Sequence, residues 1–209
     1  MTPDQLVEVL HGHHEVIDRA AGSLLAWAEH AQEHDPESRG IYVAFFRDWV
    51  FDIHHHLEEE VLFPALARHA EVPADRGPIG VIRVEHRRHR MSVDTLAEAV
   101  PGPATTAIVR AFVHALWEHL DKERSVELPE AARRLLRHGV TTLQVDREIP
   151  DPPGAALDAI RRHPPIDDES IVRGEGCIMC SAFGDQCHGL ETEWWSVWEW
   201  QHYKSLDEG

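Results

Sequence analysis

Basic charge is scarce in this chain, and lysine is scarcer still. Twenty residues are Lys or Arg against 37 Asp or Glu, and only Lys122 and Lys204 are lysines. The formal net charge of -17 repels a phosphate backbone, and no Lys/Arg cluster stands free of acids, so nucleic acid is not an expected partner. No uninterrupted apolar stretch approaches the roughly 20 residues that cross a bilayer, which argues against a membrane-spanning helix. The segment Met1 to Leu10 carries Asp4 and Glu8 and lacks the basic start and apolar run of a secretory signal, so a soluble, cytoplasmic protein is expected. Cysteine is missing until Cys177, which with Cys180 and Cys187 completes the set of three. The body of the chain therefore holds no disulfide, and 209 residues with 43% hydrophobic content bury enough core without one.

Histidine, by contrast, is abundant, with 17 residues. His54-x-x-x-Glu58 is followed by Pro64, and the same pattern returns 65 positions later as His119-x-x-x-Glu123 followed by Pro129. At this spacing a helix projects the imidazole and the carboxylate from one face, a turn apart, as two ligands of one metal require. His14 and His86 lie on the two segments that precede these pairs. Four segments thus offer His, His plus Glu, His, and His plus Glu, which is enough for a buried two-metal carboxylate site.

The apolar spacing predicts where those segments lie. Leu6, Leu10, Ile17, Ala21, Leu24 and Ala28 form a helical stripe over residues 3–31 that includes His14. After a break at 34–40, a second helix is expected from about Ile41 to His69, with Val50, His54, Leu57/Glu58, Val61 and Ala65 inward. Pro64 falls late enough in it to be tolerated. A third carries Ile79, Ile82, His86, His89, Val93, Leu96 and Val100 on one seam and ends at Pro101-Gly102-Pro103. A fourth has Ile108, Phe112, Ala115, His119, Lys122/Glu123 and Val126 inward, and Pro129 opens a short further helix to His138. Short connections between long amphipathic helices imply an all-α, up-down-up-down four-helix bundle over residues 1–139, built from two duplicated hairpins. Pro150, Pro152, Pro153, Pro164 and Pro165 mark 140–175 as a linker more extended than helical, and 176–209 as an irregular Cys/Trp-rich extension.

The His-x-x-x-Glu spacing also occurs at His11/Glu15, His55/Glu59, His56/Glu60 and His114/Glu118. These pairs lie off the inner stripes or lack the proline ten residues on, and are assigned to solvated faces. The inward set is different in energy. Four imidazoles and two carboxylates buried without partners cost several kcal/mol per charge, against a total stability of about 5–15 kcal/mol. Two cations would satisfy the imidazole lone pairs, with Glu58 and Glu123 placed to bridge them. Mixed nitrogen and carboxylate ligation without cysteine suits iron, with manganese or zinc as alternatives, and six protein ligands leave coordination positions open to a small molecule.

Residues 3–138 resemble the hemerythrin family, also called the HHE cation-binding domain. The matching segments are His14 in Gly-His-His-Glu-Val-Ile-Asp, the run from His54 to Pro64 with its acidic triplet and Val-Leu-Phe-Pro, His86 in Val-Glu-His-Arg-Arg-His-Arg, and His119-Leu120-Asp121-Lys122-Glu123. The resemblance implies a non-haem di-iron centre in a four-helix bundle. Oxygen-carrying members place a further His and an Asp where this chain has Arg90 and Arg124, and Arg is no metal ligand. The ligand set His14, His54, Glu58, His86, His119 and Glu123 is instead similar to that of bacterial iron-sulphur cluster repair proteins. His89, one residue short of the expected place, is a candidate seventh ligand or a donor behind the ligands.

Cys177-Ile178-Met179-Cys180 followed by Cys187-His188 reads as a candidate zinc knuckle whose fourth ligand is His188 or, favoured because adjacent residues seldom both reach one ion, His202; a redox or iron-sulphur role and plain thiols are the alternatives. Trp194, Trp195, Trp198 and Trp200 are expected to pack against the bundle, a protein-binding face being the alternative. The leading functional expectation is a di-iron protein that reacts with dioxygen, hydrogen peroxide or nitric oxide. Catalytic turnover of peroxidase, catalase or oxygenase type is compatible with the open positions. The second is an iron or redox sensor signalling through the tail, and the third, a reversible oxygen carrier, is disfavoured by Arg90 and Arg124.

Overall fold

The computed structural model describes residues 1–30, 35–75 and 77–171, and every regular element among them is helical. Four rods make the body. The first is α1 (Pro3–His30). The second runs continuously from α2 (Pro36–Ala44) through π-helical π1 (Phe45–His54) and π2 (Leu57–Leu62) into α3 (Phe63–His69). The third is α4 (Gly77–Glu98), and the fourth joins α5 (Pro103–Lys122), π-helical π3 (Glu123–Glu127) and α6 (Leu128–Arg137).

Local chemistry sets the boundaries. The Asp35 carboxylate accepts the Ser38 N–H at 2.7 Å and Pro36 occupies the first turn, so the second rod begins at Pro36 and not near Ile41. The recurring proline has a clear local role. The Phe63 N–H reaches back to the Glu58 carbonyl and the Leu128 N–H to the Glu123 carbonyl, wide turns that end the π segments. Pro64 and Pro129 then fall in the first turns of α3 and α6, where a missing N–H costs nothing. Each proline thus opens a new α segment instead of kinking an old one.

Two apolar clusters fill the bundle. One gathers Leu6 and Leu10 of α1, Leu57, Leu62 and Phe63, Ile79 and Ile82, and Leu128 and Leu135. The other gathers Ile17 to Ala28 of α1, Tyr42 to Ile53, Val93 and Leu96, and Val109 to Leu120. Along the chain the rods pass between the clusters in alternating order, which establishes the up-down-up-down arrangement. The candidate donors all fall at the crossing between them.

Some inner-line expectations shift. Val100 lies beyond the end of α4 and is exposed, and Ala115 faces solvent. The buried face of α5 instead uses Val109, Val113, Leu116 and Leu120 beside Phe112 and His119, because α5 packs against both α1 and α4 and needs a broad stripe.

The stretch expected as a linker more extended than helical is non-helical over most of its described length. It contains α7 (Gly154–Arg162), whose Ala156, Ala159 and Ile160 are buried in the second cluster against α1 and α2. Residues on either side are tied down as well. Leu143 exchanges backbone hydrogen bonds with Met1, Trp49 Nε1 donates to the Pro150 carbonyl at 3.0 Å, and the Ile166 N–H donates to the Gly22 carbonyl at 3.2 Å. Gly22 is required at that crossing, since a Cβ there would lie 2.8 Å from the Ile166 oxygen. No helix among the described residues is long and apolar enough to cross a membrane. Cys177, Cys180, Cys187, His188, His202 and the tryptophans of the tail lie outside the described residues.

Candidate metal centre

Each of the four rods sends donors into one layer between the apolar clusters. His14 comes from α1, His54 and Glu58 from the second rod, His86 from α4, and His119 and Glu123 from the fourth, and all six are fully buried. Glu58 turns Oε1 toward His54 Nε2 at 3.6 Å and Oε2 toward His86 Nε2 at 3.4 Å. Glu123 turns Oε2 toward His14 Nε2 at 3.0 Å and Oε1 toward His119 Nε2 at 3.1 Å and His86 Nε2 at 3.8 Å. Each carboxylate therefore presents one oxygen to the His14/His54 side and the other to the His86/His119 side. His14, His54, Glu58 and Glu123 converge as one donor group able to hold a metal ion, and His86, His119 and Glu123 as another.

Burial sets the charge state. It pushes the pKa values of His14 and His54 down, and holds these rings neutral with lone pairs available. Glu58 is pushed well above the usual carboxylate range by burial and then by Glu123 and Glu127. For Glu123 burial acts upward too, but His119, His14 and His86 outweigh it and hold the carboxyl low. For His119 burial acts downward, and the charges of Glu123 and Glu85 raise it nonetheless. The Nε2 atoms of the four histidines and all four oxygens of Glu58 and Glu123 make no hydrogen bond of good geometry. Buried polar atoms of this kind, gathered without hydrogen-bond partners, fit metal ions.

Behind this layer, two half-buried carboxylates hold two of the rings. Glu59 Oε1 lies 2.7 Å from His86 Nδ1, and Glu85 Oε2 lies 2.9 Å from His119 Nδ1. Lys122 Nζ donates to the other Glu85 oxygen at 2.7 Å. Arg90 and Arg124 turn away from the layer, toward Asp52 and the Phe51 carbonyl and toward Asp18.

Three residues stand differently from expectation, or escaped it. His55, assigned to a solvated face, is buried in the layer, stacked on His86 at 3.5 Å between ring centroids and on Phe51 at 5.2 Å. The cause is the wide winding around it: π turns rotate the chain less per residue than an α-helix, so His54 and His55 both face inward. His89 is buried beside His119 and groups with His55 and His119, not with Glu58 or Glu123. Glu127, one turn beyond Glu123, is buried with both carboxylate oxygens unpaired, its pKa pushed up by burial and then by Glu123 and Glu85. Its spacing from Glu123 was the only signal available. His11, His56 and His114 are half-buried and their partners Glu15, Glu60 and Glu118 are exposed, as expected for solvated faces.

Inward histidines and carboxylates on four antiparallel rods, sealed between apolar layers, define a helical-bundle metal protein of the carboxylate–histidine class. The chain belongs to the hemerythrin HHE cation binding domain family, whose model matches residues 5–131. Searches of curated proteins and of solved structures return no significant match.

Proposed function

We propose that the protein holds two iron ions in this layer and reacts through them with dioxygen, hydrogen peroxide or nitric oxide. The observation that carries the reading is the division of each carboxylate, one oxygen per histidine pair. His14 and His54 would hold one ion, His86 and His119 the other, with Glu58 and Glu123 bridging. Bound iron would supply the redox chemistry. The chain supplies the rest. The apolar clusters above and below the layer keep bulk water out, which strengthens every charge interaction inside. Glu59 and Glu85 fix the Nδ1 protons of His86 and His119 and leave their Nε2 atoms as donors.

Two hollows of about 520 and 350 Å³ lie beside the layer, bordered by Glu85 and by Glu59. The test is anaerobic loading with ferrous iron followed by measured additions of peroxide, dioxygen or nitric oxide. Many equivalents consumed per chain support catalytic turnover, and one stoichiometric reaction that alters protease sensitivity of the tail supports sensing. No reaction with any of the three contradicts the reading.

A further inference from the structure

The two sides of the layer are not alike behind the ligands. On one side, the Nδ1 atoms of His86 and His119 each face a carboxylate, Glu59 at 2.7 Å and Glu85 at 2.9 Å. On the other, Nδ1 of His14 and Nδ1 of His54 are buried with no hydrogen-bond partner. A neutral imidazole has one N–H to place. Where a carboxylate accepts it at Nδ1, Nε2 is left as a lone pair and the ring becomes a more basic ligand. Where Nδ1 has no acceptor, the proton is better placed on Nε2, and His14 Nε2 lies 3.0 Å from Glu123 Oε2, whose charge favours a proton there although the pair lacks hydrogen-bond geometry. Binding a metal at His14 therefore requires its proton to move to a buried nitrogen that nothing accepts from.

Both anchoring carboxylates lie at the rim of the layer beside cations. Glu85 borders a hollow of about 520 Å³ together with Arg88 and Lys122, and Glu59 borders one of about 350 Å³ together with Arg90 and Arg147.

Resting on the two-metal reading above, we infer that the positions are inequivalent: metal loads first and tightly between His86 and His119, and second and weakly between His14 and His54. Glu59 and Glu85 are the positioning residues that create the difference. The protein thus keeps one resident ion and one exchangeable ion.

The test is a titration of full-length metal-free protein with Mn(II), a hard ion that thiolates of the tail do not attract, followed by electron paramagnetic resonance. The first equivalent should give uncoupled Mn(II), and exchange-coupled pairs should appear only with the second. His14→Ala should retain the first equivalent at wild-type affinity and His119→Ala should lose it. Glu85→Gln and, independently, Glu59→Gln should weaken the first step roughly ten- to a hundredfold and leave the second unchanged. Glu85→Asp should restore part of the loss, which a merely structural defect would not show. Circular dichroism of each metal-free variant verifies folding. Coupled pairs from the first addition, or loss of the first equivalent in His14→Ala, overturn the inference while leaving the two-metal reading intact. A wild-type chain that binds no second ion at saturation overturns the two-metal reading itself.

Discussion

Stripping metal from the protein should cost it much of its stability, and the structure sets the scale. Eight buried atoms face the proposed ions without a hydrogen bond: Nε2 of His14, His54, His86 and His119, and the four carboxylate oxygens of Glu58 and Glu123. An unsatisfied buried polar atom costs about 1–3 kcal/mol, so the lower end gives on the order of 8 kcal/mol for the layer. The close approaches of His14 and His119 to Glu123, at 3.0 and 3.1 Å, recover part of it. Halving the sum leaves roughly 4 kcal/mol, a large share of a total near 5–15 kcal/mol. At about 2–4 °C per kcal/mol for a chain of this size, the metal-loaded protein should melt roughly 8–16 °C above the stripped one. Differential scanning calorimetry before and after chelation, with reloading as control, measures it. A Tm that moves by less than a few degrees would refute the reasoning, because the orphaned donors would then be satisfied in some other way.

His55 separates packing from ligation: His55→Phe preserves the stack on Phe51 and His86 and should retain full metal content, whereas loss of metal would make His55 a ligand. Glu123→Ala should lower metal content at both positions, because both histidine pairs face that carboxylate; unchanged content would contradict its bridging place. The Glu85 carboxyl is lowered from 4.5 to about 2, burial working against the charge and His119 and Lys122 prevailing. A depressed folded-state pKa means stabilisation that is complete above about pH 4.5 and is lost as pH falls toward 2. That amounts to on the order of 3 kcal/mol. Metal-free wild type should therefore lose stability over this window more steeply than Glu85→Gln, and superimposable acid-unfolding curves would contradict the assignment. Gly22→Val would drive a side chain into the Ile166 carbonyl and should destabilise by about 1–3 kcal/mol, with faster proteolysis between residues 140 and 171; a neutral effect would mean the strap is loosely held.

Much of this centre was legible because it repeats. The recurrence of His, Glu and Pro after 65 positions marks the two rods that carry paired donors, and the stripes holding His14 and His86 mark the other two. The bundle topology followed from the same stripes. His55 and Glu127 escaped because a 3.6-residue period admits only one of two adjacent residues to an inner line, and the π turns around both His-x-x-x-Glu pairs break that period. The helix Gly154–Arg162 was hidden for a different reason. Its prolines bracket it, Pro153 before its first turn and Pro164 just past its last residue, where they are compatible with a helix, yet their density reads as extended chain. The carboxylates behind His86 and His119 were invisible too, since Glu59 and Glu85 act across rods and no local spacing encodes a contact between helices.

The central claim is that six inward donors enclose a pair of iron ions. Metal analysis combined with Mössbauer spectroscopy, on protein purified without added metal and then reconstituted anaerobically with ferrous iron, tests it most directly. The expected result is two irons per chain with the magnetic signature of a coupled pair, reduced sharply in Glu123→Ala. Iron that stays below one per chain after reconstitution, or that appears only as isolated ions, would contradict it.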